Sequence, residues 1–284
     1  MKLKFECWNV AFRRYKQDIL RNDDKFLVIP NTLRYWAADP FIVYEDNVYY
    51  IFAELYDRLL SKGKIGYCKL SVDGKLLSKW KVIIDSTTHM SFPVPIKKDG
   101  TYYLMPESSK EYELRIYSAE SFPEKWVECK TILSNVQVAD SIFIDKDTIL
   151  TYDNYSVPKR ALLYKRNKDN QFMCVEMEED VELRLRPAGN IFFKSDMRIV
   201  PLQNCNGAYG KSVYLTAIGE HINENKIIGE LSDKTLKIDN YNEEIEGIHT
   251  YNFAKDFEVI DIKTRKFSIA SFFGLVLKKI RGRL

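Results

Sequence analysis

One arrangement of apolar and polar positions recurs along the chain: a small or polar opening, an apolar run, a charged turn and a second apolar run. Its first copy opens at Asp39-Pro40, runs through Phe41-Ile42-Val43-Tyr44, turns at Asp46-Asn47 and returns through Val48-Tyr49-Tyr50-Ile51-Phe52. The second extends from Phe92 to Leu104 around Asp99-Gly100, the third from Asp140 to Leu150 around Asp145-Lys146-Asp147, and the fourth from Pro187 to Val200. A weaker fifth runs from His249 to Ile260. Two apolar runs joined by Asp-Asn or Asp-Gly predict a β-hairpin, because those residues adopt the left-handed conformation a tight turn requires. Further apolar runs follow the first three copies, at 64–70 and 80–84, at 113–118 up to Trp126, and at 161–165. Four strands per repeat, at a period of roughly 50 residues, are the signature of propeller blades. The pattern predicts an all-β chain, a five-bladed β-propeller over residues 1–263 with a short C-terminal amphipathic helix over 264–284. The competing arrangement is a β-sandwich.

In a propeller the first strand of each blade lines the central channel, so the openings of the copies converge on one axial pocket although they lie far apart in sequence. The openings carry chemistry: Asp39, Ser91-Phe92-Pro93, Asp140, Arg186-Pro187 and His249, with His89 just upstream of the second. Glu54 and Glu107 end the second runs of the first two copies. Paired carboxylates suit glycosyl transfer, in which one is ionised as base, nucleophile or stabiliser of oxocarbenium charge and the other is protonated as acid. Catalytic roles are therefore expected of Asp39, Asp140 and Glu107, and substrate contacts of Trp36, Glu54, His89, Ser91, Arg186 and His249. Arg186 suits a bidentate grip on a phosphate or carboxylate, and Trp36 offers a ring face for a sugar. Each has a structural alternative: turn capping for the two aspartates, solvated strand ends for the two glutamates, an ion pair for Arg186 and hydrogen-bonded packing for the histidines. Trp80 and Trp126 are expected between blades.

Composition narrows the function classes. A chain of 284 residues, 45% hydrophobic, buries a large core, and a net charge of +3 with 29% charged residues gives no basic surplus that calls for nucleic acid. The 18 Tyr and 16 Phe favour strands. Five scattered cysteines make no disulfide framework, and without a close Cys pair and with three histidines there is no structural zinc pattern. No metal and no cofactor is expected: the glycine-rich nucleotide motifs are absent, and Asp145-Lys146-Asp147 falls on a turn away from the axis. Residues 1–6 lack the apolar core of a signal peptide, and no stretch reaches the ~18 apolar residues of a bilayer span. A reducing, cytoplasmic compartment is the expectation.

The tail differs from the rest. Phe267, Ile269, Phe272, Phe273, Leu275, Val276, Leu277 and Ile280 interleave with Lys278, Lys279, Arg281 and Arg283. Basic amphipathic helices of this kind lie in the headgroup region of anionic membranes, so peripheral contact with the inner face of a membrane through 266–284 is expected. The alternative is a helix packed on the propeller.

Ala38-Asp39-Pro40-Phe41, Tyr50-Ile51-Phe52-Ala53-Glu54, His89-Met90-Ser91-Phe92-Pro93, Met105-Pro106-Glu107-Ser108, Phe122-Pro123-Glu124-Lys125-Trp126, Val138-Ala139-Asp140, Arg186-Pro187-Ala188-Gly189, Tyr209-Gly210 and Gly247-Ile248-His249-Thr250 occur in that order. As an ordered set they resemble the propeller domain at the N-terminus of plant glucosamine inositolphosphorylceramide transferase and its bacterial stand-alone relatives. That domain is itself similar to the family-43 glycoside hydrolases, which are five-bladed propellers. The resemblance implies that Asp39 matches the hydrolases' first-blade catalytic aspartate and Asp140 the carboxylate that tunes their acid. The chain departs from the pattern at Val200-Pro201-Leu202-Gln203-Asn204, where family members read Arg-Pro-x-Gln-Asp, and Glu107 is the substitute for the hydrolases' acid glutamate. The expectation is a carbohydrate-active enzyme, a glycosyltransferase of cell-surface polysaccharide or glycolipid synthesis, taking a sugar donor and a glycan or glycolipid acceptor. A family-43-type glycoside hydrolase and a non-catalytic glycan-binding propeller are the alternatives.

Overall fold

The structure, a computed structural model, describes residues 4–16, 19–194 and 196–281; Arg283 and the side chain of Arg281 in the basic tail lie outside the described residues. Among the described residues five sheets follow one another around an axis as the blades of a propeller, and one α-helix, α1 (Ile269–Arg281), follows the last. Blade 1 comprises Tyr35–Glu45, Val48–Asp57, Lys62–Ser71 and Lys81–Ile84; blade 2 comprises Ser91–Lys98, Thr101–Glu107, Glu113–Ser121 and Lys125–Ser134. Blade 3 comprises Ala139–Asp145, Thr148–Asp153, Arg160–Arg166 and Phe172–Glu179. In blade 4 the innermost strand is split: Arg186–Pro187 and Phe192–Lys194 both pair with Met197–Asn204, and Ser212–Ala217 and Lys226–Leu231 complete the sheet. Between the two pieces the chain passes close to blade 5, where a Cβ on Gly189 would stand 2.0 Å from the carbonyl oxygen of Tyr251. The expected turns at Asp46-Asn47 and Asp99-Gly100 adopt positive φ, at 48°, 61°, 50° and 77°.

Apolar side chains fill the spaces between blades. Phe52, Ile65, Tyr67, Met90 and Leu104 join blades 1 and 2, with Trp126 edge-on to Phe52 at 5.8 Å, and Trp80 packs with Val10, Phe12, Phe257 and Val259 between blades 1 and 5. Both tryptophans sit between blades.

Blade 5 is built from both ends of the chain. Tyr251–Ala254 and Phe257–Lys266 form its inner hairpin, Phe5–Arg14 and Phe26–Val28 its outer strands, and Ile238–Asp239 adds a parallel edge. Ten consecutive residues pair from Phe5 with Lys266 to Arg14 with Phe257. The strand thus continues past Lys263, and Thr264 is buried with its hydroxyl donating to the Cys7 carbonyl at 3.2 Å. An ion pair of Arg13 with Glu258 is buried inside this seam. Its remaining polar atoms are satisfied: Arg13 donates to the carbonyls of Asn22 (2.7 Å), Asp24 (3.1 Å) and Ile19 (3.2 Å), and Glu258 accepts from Tyr251 Oη at 2.7 Å.

Breaking a buried pair from one side leaves a charge without compensation and costs about 3–5 kcal/mol. Arg13→Met should therefore lower the urea midpoint of unfolding strongly. Lys125→Ala, at the exposed pair with Glu120, should leave it unchanged. Equal midpoints for the two variants would show that the Arg13 pair does not hold the seam.

Candidate functional site

Three of the inner strands break their ladder at the same place. Ala38 pairs with Glu54 and Phe41 with Phe52, so Asp39 and Pro40 together oppose one residue; Phe92-Pro93 and Asp140-Ser141 repeat the bulge in blades 2 and 3. The bulged residues Asp39, Phe92 and Asp140 have φ of 50°, 46° and 47°, in the left-handed region that Asp tolerates and Phe resists. Each bulge frees a backbone N–H, and a carboxylate of the preceding blade accepts it. Asp39 N donates to Asp261 Oδ2 (2.9 Å), Phe92 N to Asp39 Oδ2 (3.2 Å) and Asp140 N to Glu107 Oε2 (3.3 Å). A buried amide without a partner would cost about 1–3 kcal/mol, so the acids at the axis first answer a structural need.

The second strands supply a matching ring. Glu54 stands opposite Ala38, Glu107 opposite Ser91, Tyr152 opposite Ala139 and Gln203 opposite Arg186, while Asp261 accepts from the amide of Thr250 at 3.0 Å. Glu54 and Glu107 of this ring line an axial cavity of about 460 Å³, within the usual range for a small ligand. Asp39, Glu107, Trp36, Glu54, His89, Ser91, Arg186 and His249 all line it. Asp140 lies behind this lining, its Oδ2 accepting from Arg186 Nε and from Gln203 Nε2 (2.8 Å).

The electrostatics separate the acids. Asp39 is pushed up to about 6, chiefly by burial, with His249 opposing and Asp140 and Asp261 adding to the rise. Glu107 is pushed up to about 8 by burial and by Asp140, against the pull of Arg186. Glu54 is held well above the usual carboxylate range by burial and by the neighbouring acids. Its Oε1 is buried and has no hydrogen bond; His89 Nε2 lies 3.4 Å away. His89 Nδ1 accepts from the Gly63 amide at 3.0 Å, which places the proton of the neutral ring on Nε2. Burial, then Lys110 and Lys62, push His89 down to about 4. Burial opposes the charge of Arg186, but Asp140 more than restores it.

On the blade 5 side, His249 Nδ1 donates to Asp261 Oδ2 at 2.6 Å and Nε2 faces Asp39 Oδ1 at 3.5 Å. Burial alone would depress this imidazole, yet Asp261 and Asp39 hold it above its ordinary value. Trp8 stacks on it at 3.8 Å, and Tyr209 meets it edge-on at 5.4 Å. Thr250 Oγ1 donates to Asp39 Oδ1 at 3.1 Å. Asp39, His249 and Asp261 bring ligand atoms within 4.8 Å of one another, a spacing that suits a cation. Here the three satisfy each other and the neighbouring amides. Trp36 stacks on Tyr56 at 4.4 Å, forming a double-ring wall.

Sequence reasoning missed Trp8, Gln203, Tyr209 and Asp261 as members of the site. The signal for Asp261 is its place in the second strand of its hairpin, shared with Glu54 and Glu107, and the longer spacing before the fifth copy masks it. Trp8 carries no such signal, because its strand joins the fifth blade from the far end of the chain.

The fold is that of solved carbohydrate-processing propellers. A catalytic domain of a GH62 α-L-arabinofuranosidase from Coprinopsis cinerea matches with a TM-score of 0.57 at 10% identity, over 92% of this chain and 98% of that one. A GH43 β-xylosidase/α-arabinofuranosidase from a compost microbial metagenome matches with a TM-score of 0.57 at 13% identity, over 83% and 91%. In sequence, glucosamine inositolphosphorylceramide transferase 1 of Oryza sativa subsp. indica is 26% identical over 199 residues, 64% of this chain and 26% of that protein. The Arabidopsis thaliana protein of the same name is 32% identical over 107 residues, 38% of this chain and 14% of its own length. The chain thus spans about a quarter of the rice relative. Residues 31–245 match the family model described as glucosamine inositolphosphorylceramide transferase 1, N-terminal, and the chain belongs to that family.

Proposed function

We propose that the protein is a glycosyltransferase acting in the axial pocket, with Asp39 as base and Glu107 as acid. The observation that carries this reading is the separation of two acids lining one buried cavity, Asp39 near 6 and Glu107 near 8. At neutral pH the first is largely ionised and the second largely protonated, the assignment glycosyl transfer needs. Asp39 takes the proton of an acceptor hydroxyl as its oxygen bonds to the anomeric carbon. Glu107 gives its proton to the oxygen that leaves that carbon. Asp140 acts through others, raising Glu107 and anchoring Arg186, and is a positioning residue. Trp36 on Tyr56 offers the stacking wall for the sugar ring, and His89 and Glu54 offer hydrogen-bonding groups for its hydroxyls.

The relatives' printed name supports transfer to a glycolipid, and a basic tail suited to anionic membranes supports an acceptor carried on a lipid at the inner face of a membrane. All five cysteines are free, which supports a reducing compartment. The second reading, a glycoside hydrolase, draws on the same acid–base pair with water as acceptor. A panel of nucleoside-diphosphate sugars and aryl glycosides separates them. Donor consumption that requires a glycan or glycolipid acceptor supports transfer, whereas sugar release from aryl glycosides in water supports hydrolysis. Binding without either makes the propeller a lectin-like module.

Asp39→Asn removes the base and keeps one acceptor oxygen for Phe92 N, while its amide NH2 can donate to Thr250 Oγ1. Turnover should fall at least ~100-fold with the melting temperature nearly unchanged, as read by steady-state kinetics and calorimetry on one preparation. Near-normal turnover would remove Asp39 from the mechanism.

The pH profile follows from the two shifted acids. Activity rises as Asp39 ionises through about 6 and falls as Glu107 loses its proton through about 8, so kcat/KM should be bell-shaped. Glu107→Gln should lower the maximum and abolish the alkaline limb. An alkaline limb that survives in this variant would assign the acid to another group.

A further inference from the structure

We propose that the outward ridge of α1 docks on an anionic lipid bilayer, and that docking seats the mouth of the axial pocket at the headgroup layer. The helix is mounted inside out. Ser268 caps it, its Oγ accepting from Ser271 N at 3.2 Å. Gly274 is buried so closely that a Cβ there would stand 2.0 Å from the Arg58 carbonyl oxygen, and Ser271, Leu275 and Lys278 line the axial cavity. Residues 271, 274, 275 and 278 share one helix face by their spacing, so the face turned to the protein carries Ser271, Gly274 and Lys278 with Leu275 as its apolar member. The opposite face carries Ile269, Phe272, Phe273, Val276 and Ile280, which are 64%, 43%, 55%, 38% and 52% exposed. A helix that merely packed on the propeller would show the reverse order.

The surroundings extend the ridge. A groove of about 880 Å³ beside the start of α1 is lined by Phe267, Ile269, Phe273 and Leu33, the last 92% exposed. The charges select the occupant. Residues 266–281 contain Lys266, Lys278, Lys279 and Arg281 and no acidic residue, and Lys279 flanks the ridge. A second copy would set like charges against each other, whereas an anionic headgroup layer accepts the basic residues while the aromatic side chains enter the acyl boundary. The helix that forms the ridge also walls the cavity through Ser271, Leu275 and Lys278, so docking brings the cavity, with Trp36 in its lining, to within one helix diameter, about 10 Å, of the lipid. That an acceptor then reaches the pocket as a lipid headgroup rests on the proposed transfer; the docking itself does not.

The test uses the full chain with phosphatidylcholine vesicles, with and without phosphatidylglycerol, at low and high salt. Co-sedimentation should require phosphatidylglycerol and weaken with salt. The variant Phe272→Ser/Phe273→Ser/Ile280→Ser should bind at least ~10-fold more weakly with an unchanged melting temperature. Should that variant melt early, Lys279→Glu on the exposed flank carries the same test, with reduced binding expected. Vesicles of brominated lipid should quench the part of the fluorescence that Trp36→Phe removes more than the remainder. Undiminished binding of both variants, or no binding by the full chain, overturns the proposal. So does self-association of the full chain, abolished by the triple substitution, without vesicle binding. Binding without quenching of Trp36 overturns the placement of the mouth. Docking that persists in a chain without transferase activity counts against the proposed function and leaves the docking standing.

Discussion

The axial pocket exists because the N-terminal strand closes the ring. An open array of blades would leave two sheet edges and a split channel, and exposed strand edges invite pairing with other chains. Pairing Phe5–Arg14 with Phe257–Lys266 removes both edges and joins residues about 250 apart in sequence, a loop-closure cost that grows only with the logarithm of length. Closure also assembles chemistry. The closing strand carries Trp8, which stacks on His249, and its partner carries Asp261, which accepts the amide of Asp39 from blade 1. The buried Arg13–Glu258 pair inside the seam has every remaining polar atom of Arg13 directed at a carbonyl, a geometry that a shifted register would not satisfy.

With the ring closed, the left-handed bulges decide what faces the axis. A regular strand would bury its amides in the ladder. The bulge at Asp39, Phe92 and Asp140 frees one amide per blade from the ladder, and in blade 1 it places the Asp39 side chain in the cavity wall. Carboxylates then meet those amides from the neighbouring blade, which brings Asp39, Glu107 and Asp261 to the axis. Arg186 and His249 lie among them, and Asp39, Glu54 and Glu107 are raised above the usual carboxylate range.

Much of this was legible in the chain. The hairpins of the five copies, their turns and the convergence of Asp39, Arg186 and His249 follow from repetition, since residues at equal places in successive blades must meet at the axis. The outer strands were less visible. Phe172–Glu179 and Lys125–Ser134 lie at blade edges with most side chains in water, so their apolar alternation is weak. Phe5–Arg14 fails for the opposite reason: it is buried on both faces through Cys7 to Arg13, and a strand covered on both sides loses its alternation. Asp261 was hidden by the longer stretch before the fifth copy, which shifts its register against the others. In the tail, the sequence showed an amphipathic helix but could not say which face turns inward. Gly274 decides that, because only a residue without Cβ approaches the Arg58 carbonyl so closely.

The carboxylates of the axis hold the blades together and exchange protons, and the two tasks pull in opposite directions. As acceptors for the bulge amides, Asp39 and Glu107 are best ionised. Burial and mutual repulsion oppose that and raise them to about 6 and about 8. The folded chain therefore binds these protons more tightly than the unfolded chain. The two groups favour the fold below their ordinary values near 3.8 and 4.5, and that advantage is lost as pH rises toward 6 and 8. At neutral pH the site is strained electrostatically, and the strain has a direction. It makes Glu107 a holder of a proton that it would release in water, and leaves Asp39 largely ionised yet far readier to take a proton than a carboxylate in water. Arg186 and His249 limit the cost without removing it, because each is already paired, Arg186 with Asp140 and His249 with Asp261. A pocket built only for stability has no need of acids at these places, and blade 4 carries the neutral Gln203 opposite Arg186 where blades 1 and 2 carry Glu54 and Glu107. Their retention in blades 1, 2 and 5 is the strongest physical argument that the axis is a place where protons move.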